Sequence, residues 1–455
     1  MLEFDDIQHF LLVRAPALAA RYEFLSFRNP RGATAWLSAM LDAVQSAAST
    51  KASLERKQRW ATVAFTWNGL RALGLDEASL ATFPDEFKQG MAARAEILGD
   101  TGDNHPDNWV GGLASPDLHA IAILFGRDGA EVRRGQDEHE RLIARCEGVE
   151  VLSSLDLEAI PPFDYAHDHF GYRDRLSEPV IEGAGADPTP GWGRPLKPGE
   201  FILGYPDESG QPYPMPQPEA LSRNGSYIAY RRLQEHVGRF RDFLRQHGET
   251  REEQELVAAK LMGRWRSGAP LVLAPDKDDP VLGADPQRNN DFSYKDMDPH
   301  GYAVPLGAHI RRMNPRDTAA NVNRRRMIRR GATYGPPLLD DAPEDGLERG
   351  IAAFVVCASL IRQYEFAQNV WINDRNFHEL GNERDPIIGN QDGTLEYKIP
   401  TRPIRKKITG LPAFTTVKGG AYFFLPGISA LRRLATLADS RGARAPQIGD
   451  ERRPP

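Results

Sequence analysis

The hydrophobic pattern of this chain runs through one order of elements and then begins it again. "ARYEFLSF" (20–27) mixes β-formers with polar residues and predicts a strand. "ATAWLSAMLDAVQSA" (33–47) carries apolar residues at helical spacing, and "WATVAFTW" (60–67) predicts a second strand. "DLHAIAILFG" (117–126) predicts a buried strand, "DEHERLIARCEG" (137–148) a helix and "VEVLSSLDL" (149–157) a fourth strand. Strand–helix–strand–strand–helix–strand is the ferredoxin-like pattern.

A second round follows. "GSYIAYRRL" (225–233) predicts a strand and "QEHVGRFRDFLRQHG" (234–248) a helix. "GIAAFVVCASL" (350–360) predicts an apolar strand, "IRQYEFAQNVWIND" (361–374) a helix and "FTTVKGGAYFFLPG" (414–427) a strand or hairpin. The expected fold is α+β: two ferredoxin-like halves with antiparallel sheets. The first half spans 1–165. A loop and Pro/Gly-rich linker occupies 166–223, because 190–221 is too rich in proline and glycine for a regular element. The second half spans 224–438 and carries an insertion at roughly 250–345. The polar tail, 439–455, is expected to be disordered.

A net charge of −6 gives the whole chain no general pull towards nucleic acid or acidic membranes. The start lacks the basic region of a secretory signal, and no run approaches the ~20 apolar residues of a membrane helix. Two cysteines, Cys146 and Cys357, exclude a disulfide framework and a four-cysteine metal site, so a reducing cytoplasm is expected. No HExxH, GxxxxGK[ST] or GxSxG motif appears.

Against the acidic whole, residues 307–330 hold His309 and eight arginines, at 311, 312, 316, 324, 325, 326, 329 and 330, with Asp317 the only acid. Three readings fit. The stretch is a solvated basic helix beside a structural histidine. Or it binds nucleic acid, although no aromatic residue interleaves the arginines before Tyr334. Or His309 ligates a haem iron, arginines meet the propionates, and another arginine faces the opposite side of the iron. A second stretch, "HFGYRDRLSEPVIEG" (169–183), places Asp174 between Arg173 and Arg175. By itself such an aspartate reads as a structural ion pair. His167 and His169 flank it, but no third metal ligand is visible.

Several blocks bear on this choice. They are "GAHIRRMNPRD" (307–317), "MIRRGATYGP" (327–336), "GEFILGYPDE" (199–208), "GRWRSGAPL" (263–271), "RQYEFAQNVWIND" (362–374) and "DPIIGNQDGT" (385–394), with "FTWNGLRALGL" (65–75) and "FPDEFKQGMAARAEILGD" (83–100) in the first half. Over nearly its whole length the chain resembles the dye-decolorising haem peroxidases. The resemblance implies a haem b peroxidase that reduces hydrogen peroxide and oxidises phenolic, dye-like or other bulky donors through a ferryl–porphyrin radical, with haem bound in the second half. It implies His309 as the iron ligand, Asp174 as the acid–base group and Arg329, rather than Arg330, as the distal arginine. Arg311 is expected at the haem, and Glu365, Glu383 and Asp385 are candidate partners for the second nitrogen of His309. Expected partners are peroxide and an organic donor, with self-association allowed and neither nucleic acid nor membrane. The alternatives are a haem-sensing protein with weak turnover and an arginine-rich nucleic-acid binder. There is one departure: the family glycine after the aspartate is Arg175 here. An adjacent cation is expected to favour ionised Asp174.

Overall fold

The computed structural model describes residues 1–13, 19–49, 54, 56–158, 167–185, 193–340 and 342–438. The expected tail therefore lies outside the described residues. Four strands form the first half: β1 (Ala19–Phe27), β2 (Arg59–Phe65), β3 (Ala120–Gly126) and β4 (Val149–Glu158). The second half contributes β5 (Ser226–Glu235), β6 (Ile328–Tyr334) and β7 (Gly350–Cys357). A separate two-stranded ribbon follows, β8 (Glu396–Ile399) with β9 (Lys406–Thr409), and then the long strand β10 (Thr415–Leu425).

The eight main strands form one sheet in the order β4-β1-β3-β2-β10-β5-β7-β6. Numbered within its own half, each set of four reads 4-1-3-2. The halves meet where β10 pairs with β2 through Phe424 and Phe65. The two ends of the order, β4 and β6, lie against each other, which curls the sheet towards closure. Every strand pairing within the halves is antiparallel, as the α+β expectation requires. One sheet face buries Tyr22, Phe24, Ile121, Tyr230, Phe354 and Phe423 in a core shared by both halves. Helices cover the other face, where Trp36 and Leu37 pack with Phe27, Phe65 and Phe424.

Local chemistry sets the helix limits. α1 (Pro30–Met40) is capped by Asn29, which accepts from the Arg31 amide, and proline fits its first turn. It ends at Met40, earlier than expected, because Val44 and Ser46 leave the helix for bridges to Ala61 and Gln8. α2 (Gly129–Ile143) starts earlier than the apolar spacing predicts, because the Asp128 carboxylate caps it by accepting from the Glu131 amide. In the second half, α3 (Val237–His247) follows β5, and α4 (Arg251–Met262) opens with a reciprocal capping box of Thr250 and Glu253. The predicted helix over 361–374 is present as two π-helical segments, Leu360–Glu365 and Ala367–Asn373.

The expected insertion of 250–345 needs correction. Its last part, Ile328–Tyr334, is β6, which pairs along β7 and completes the second half. The true excursion runs from the end of α4 to the start of β6, and the opening of β6 carries Arg329 and Arg330.

Candidate active site

His309 is the first residue of the short helix α5 (His309–Met313). α5 packs against the π-helical segment Ala367–Asn373 and against α4. Arg312 fastens it there: its guanidinium is buried and donates to the carbonyls of Trp371 at 2.7 Å and Glu383 at 2.8 Å. That clamp brings the segment after residue 371 alongside the histidine. Asp385 donates its own amide to the Ile372 carbonyl, and its Oδ1 accepts from the amides of Ile387 and Ile388.

The Nδ1 of His309 lies 2.9 Å from Asp385 Oδ2. Burial opposes ionisation of Asp385, but the His309 imidazole and the two amides outweigh it and hold the carboxyl below its ordinary range. An ionised carboxylate can only accept, so the proton of the neutral imidazole sits on Nδ1. Nε2 then carries the lone pair and has no hydrogen-bond partner among the described residues. Of the three candidate acceptors, only Asp385 reaches the ring. Glu365 is taken by Arg94 and Tyr422. Glu383 is buried with its nearest cation, Lys398, at 3.5 Å, and burial pushes its carboxyl up to about 7.

Asp174 and Arg329 come together from distant parts of the chain. Arg329 Nη1 is 3.4 Å from Asp174 Oδ1, and its Nη2 donates to the Leu176 carbonyl at 2.8 Å. Glu178 lies 3.5 Å from Arg329 Nε. Both members of the pair are about half exposed, at 49% and 50%, so they face open space rather than core. The strand separates Arg329 from Arg330 in direction. Successive β6 side chains point to opposite sides of the sheet. Arg330 is largely buried and donates to the carbonyls of Phe10 and Leu11, while its Nη1 lies 3.5 Å from Glu178, the carboxylate it shares with Arg329.

Arg311 does not reach this space. Its guanidinium is buried, donates to the carbonyls of Val304 and Asp298 and to the Asp298 carboxylate, and lies 4.3 Å over the Tyr294 ring. Arg311, the residue expected at the haem, thus has its charge held by the Asp298 carboxylate.

Sequence reasoning missed a different set of arginines. Arg264 donates to the carbonyls of Gly268 and Asn289, Arg316 to those of Asn290 and Phe292, and Arg326 to that of Ser177. Burial pushes Arg264 down to about 9 and Arg326 down to about 10, with Arg316 and Arg329 adding like-charge repulsion in both cases. A guanidinium does not give up its proton in a protein. Burial is thus the larger cost for both guanidiniums, and the neighbouring positive charges add to it. "GRWRSG" and "NPRD" were the visible signals, but only folding puts these residues beside Arg329.

The donor set fits a haem. A neutral imidazole with its outer nitrogen fixed by a carboxylate is an iron ligand, and clustered arginines suit two propionates. The histidine pair does not make a metal site. The Nε2 of His169 meets the Tyr334 carbonyl at 2.8 Å, burial pushes its pKa down to about 4, and no group of three potential ligands occurs among the described residues. A nucleic-acid surface is also disfavoured, since Arg311 and Arg312 are buried and Arg324 is paired with Asp207. No helix among the described residues is long and apolar enough to cross a membrane.

The loop under Asp174 carries its own pH signature. Asp168 accepts from the Tyr172 amide at 2.7 Å, and burial, with Asp174 adding to it, pushes its carboxyl up to about 7. The native state thus keeps a proton that the unfolded chain releases above pH ~4. Stability from this group is complete below that pH and is lost as pH rises towards 7. Asp168→Asn keeps an acceptor for Tyr172 and removes the titration. The variant is expected to be roughly 1–3 kcal/mol more stable than the parent at pH 7 and equal to it near pH 4. Urea melts across that range check this; parallel stability curves for the two proteins would refute it.

The family model of the DyP dimeric alpha+beta barrel domain matches residues 20–153, the span of β1 to β4. A dye-decolorizing peroxidase of Mycena epipterygia is 32% identical over 412 residues, covering 82% of this chain and 75% of its own. The chain belongs to the dye-decolorising peroxidase family. It is a haem peroxidase by that membership. The solved fungal dye-decolorising peroxidase of Auricularia auricula-judae superposes with a TM-score of 0.84 at 27% identity, covering 96% of this chain and 99% of that one. A dye-decolorizing peroxidase solved with 2,6-dimethoxyphenol gives the same TM-score and identity over 96% of this chain and all of that one. In this dye-decolorising peroxidase Arg175 holds φ at 65°, the left-handed conformation that a glycine adopts without strain. The loop keeps a glycine-like path at a cost of about 1–2 kcal/mol.

Proposed function

We propose that the chain reduces hydrogen peroxide and oxidises phenolic, dye-like or other bulky organic donors, with one haem b held through His309. The observation that carries this reading is the Asp174–Arg329 pair: a carboxylate and a guanidinium, both open to the same space, meet at 3.4 Å. Bound haem supplies the redox centre that stores oxidising equivalents between peroxide and donor. The remaining work falls to side chains. Asp174 takes a proton from one peroxide oxygen and returns it to the other, which leaves as water. Arg329 stabilises the negative charge that develops as the O–O bond breaks. Asp385 holds the Nδ1 proton of His309, orients the ring and makes Nε2 the better donor. Arg316 and Arg326 supply positive charge for the haem carboxylates.

The haem is non-covalent in this reading, because Cys146 and Cys357 are both buried and lie in no C-x-x-C-H motif. Two unpaired thiols also suit a cytoplasmic setting. The site sits where the linker 166–223 meets the second half, 224–438, while the first half, 1–165, closes the sheet.

One experiment tests the whole reading. The visible spectrum of the purified protein is recorded before and after one equivalent of peroxide, and bleaching of an anthraquinone dye is followed. A Soret band that changes with peroxide, together with peroxide-dependent bleaching, is expected. An intense Soret band with neither response would mean a haem-binding protein without turnover.

A further inference from the structure

The ribbon of β8 and β9 ends in an exposed turn that the haem site does not use. Its root is buried, where Tyr397, Ile399 and Ile408 pack with Phe243 and Phe414. Beyond the root, every residue from 401 to 407 is exposed. The segment reads "KIPTRPIRKK" (398–407), with five cations and no acid. Antiparallel pairing sets Lys398 opposite Lys407 and Ile399 opposite Lys406, so Lys398 and Lys407 share one face of the ribbon. Both are paired with Glu396, which is the last acid before Asp439. Lys406 donates to the His247 carbonyl at 3.1 Å. Arg402 and Arg405 have no acidic partner among the described residues, and the Arg402 guanidinium lies 5.1 Å over the Tyr302 ring.

Among these cations stands Ile404, 79% exposed, the most exposed large apolar side chain among the described residues apart from Met1. Val281 and Leu339 come next at 73% each, but they neighbour Asp279 and Asp340 in sequence. Ile404 has cations in those places, and the exposed Tyr302 ring lies beside Arg402. Cations alone would suit any polyanion. An isoleucine held out in water between them suits a surface that is anionic outside and apolar just beneath, which is the interface of an acidic phospholipid bilayer. An amphipathic ring such as that of Tyr302 favours the same depth. A soluble polyanion gives Ile404 nothing to enter. The net charge of −6 makes the rest of the surface a poor match for such a bilayer, so approach is set by this tip.

We propose that the β8–β9 tip, with Arg402, Arg405, Lys406 and Lys407 around Ile404, is a peripheral docking site for acidic phospholipid membranes. The cations meet lipid phosphates, and Ile404 enters the headgroup boundary without spanning it. Lys398, at the root, donates to the Leu380 carbonyl at 2.6 Å and lies 3.5 Å from Glu383. The ribbon is thereby fastened to the segment that leads to Asp385, and docking turns that side of the protein to the membrane. The contact goes beyond the peroxidase reading and does not rest on it.

The test is sedimentation of the haem-loaded full chain with vesicles of phosphatidylcholine and phosphatidylglycerol in equal parts, beside vesicles of phosphatidylcholine alone. The parent is expected to sediment with the acidic vesicles, not with the neutral ones, and to be released by high salt. Arg402→Glu/Arg405→Glu is expected to lower the vesicle partition at least about tenfold. Ile404→Ser, which changes no charge, is expected to lower it about threefold to tenfold. Both variants keep the parent's haem content and far-ultraviolet circular dichroism, because the altered side chains are exposed. Elution from heparin separates a lipid from a soluble polyanion: Ile404→Ser is expected to elute with the parent, and the arginine variant ahead of it. A parent that ignores acidic vesicles, or binds neutral ones equally well, overturns the proposal. So does equal vesicle partition of Ile404→Ser and the parent, which would leave a basic patch open to any polyanion.

Discussion

His309→Ala purifies without a Soret band. On the proposed assignment the imidazole Nε2 is the one protein bond to iron offered among the described residues: both cysteines are buried, and every arginine in the stretch is a cation that cannot ligate. What remains for the haem is burial of the macrocycle and ion pairing of its carboxylates, neither of which fixes the iron. The fold is expected to survive, because the His309 side chain is partly exposed and α5 is held by Arg312 and Arg311, not by the imidazole. Asp385 keeps its two amide bonds. Its carboxylate, though, loses the partner that helped offset burial, so a modest loss of stability accompanies the loss of haem. Imidazole added to the medium is expected to restore part of the Soret band by filling the space left by the side chain. Haem content is read by pyridine haemochrome and folding by far-ultraviolet circular dichroism. Full haem content with an unchanged ferric spectrum would remove His309 from the site; a chain that fails to fold would show in the dichroism and not in the haem assay alone.

What the sequence made legible follows from how each signal is written. β1 to β5, β7 and β10 are strongly apolar or alternating, and their existence and order could be read directly. β6 could not. "IRRGATY" places two arginines and a glycine where a strand usually shows alternation, and its pairing with β7 is made by backbone groups that carry no sequence signature. Reading it as part of an insertion left the choice of Arg329 over Arg330 to the resemblance alone. Once the stretch is a strand, alternation separates them: one turns to Asp174, the other to Phe10 and Leu11. The start of α2 was hidden by a polar first turn that Asp128 makes viable. The π winding of 360–373 has no periodicity distinct enough to read. In the site, the types of residue were visible but not their partners. Asp385 is chosen over Glu365 and Glu383 by the Arg312 clamp and by the amides of Ile387 and Ile388, all contacts across the chain. Arg311 lies two residues from His309 in sequence, yet Asp298 draws it the other way. Adjacency in sequence on a short helix says little about direction.

Arg329→Leu keeps its haem and slows the reaction with peroxide by ~10²–10³, the usual effect of losing one well-placed donor to a developing anion. The guanidinium is suited to that task because it stays charged at every working pH and is aimed by three oxygen neighbours: Asp174, Glu178 and the Leu176 carbonyl. Leucine fills similar space and supplies no donor. The loss is therefore confined to the step in which charge develops, and it is read by stopped-flow mixing with peroxide. Stability should change little, since an ion pair this exposed contributes at most ~1 kcal/mol. Arg330→Leu is the matched control. Its guanidinium satisfies the carbonyls of Phe10 and Leu11 in a largely buried position, so its loss is expected to cost roughly 1–3 kcal/mol of stability and to leave the peroxide step within a few fold. The two variants thus differ in kind, one in rate and one in melting. Reversal of that pattern, with Arg330→Leu slow and Arg329→Leu unaffected, would place the catalytic cation on the other side of β6. That outcome would also break the link to Asp174, because only the Arg329 side of the strand faces the carboxylate.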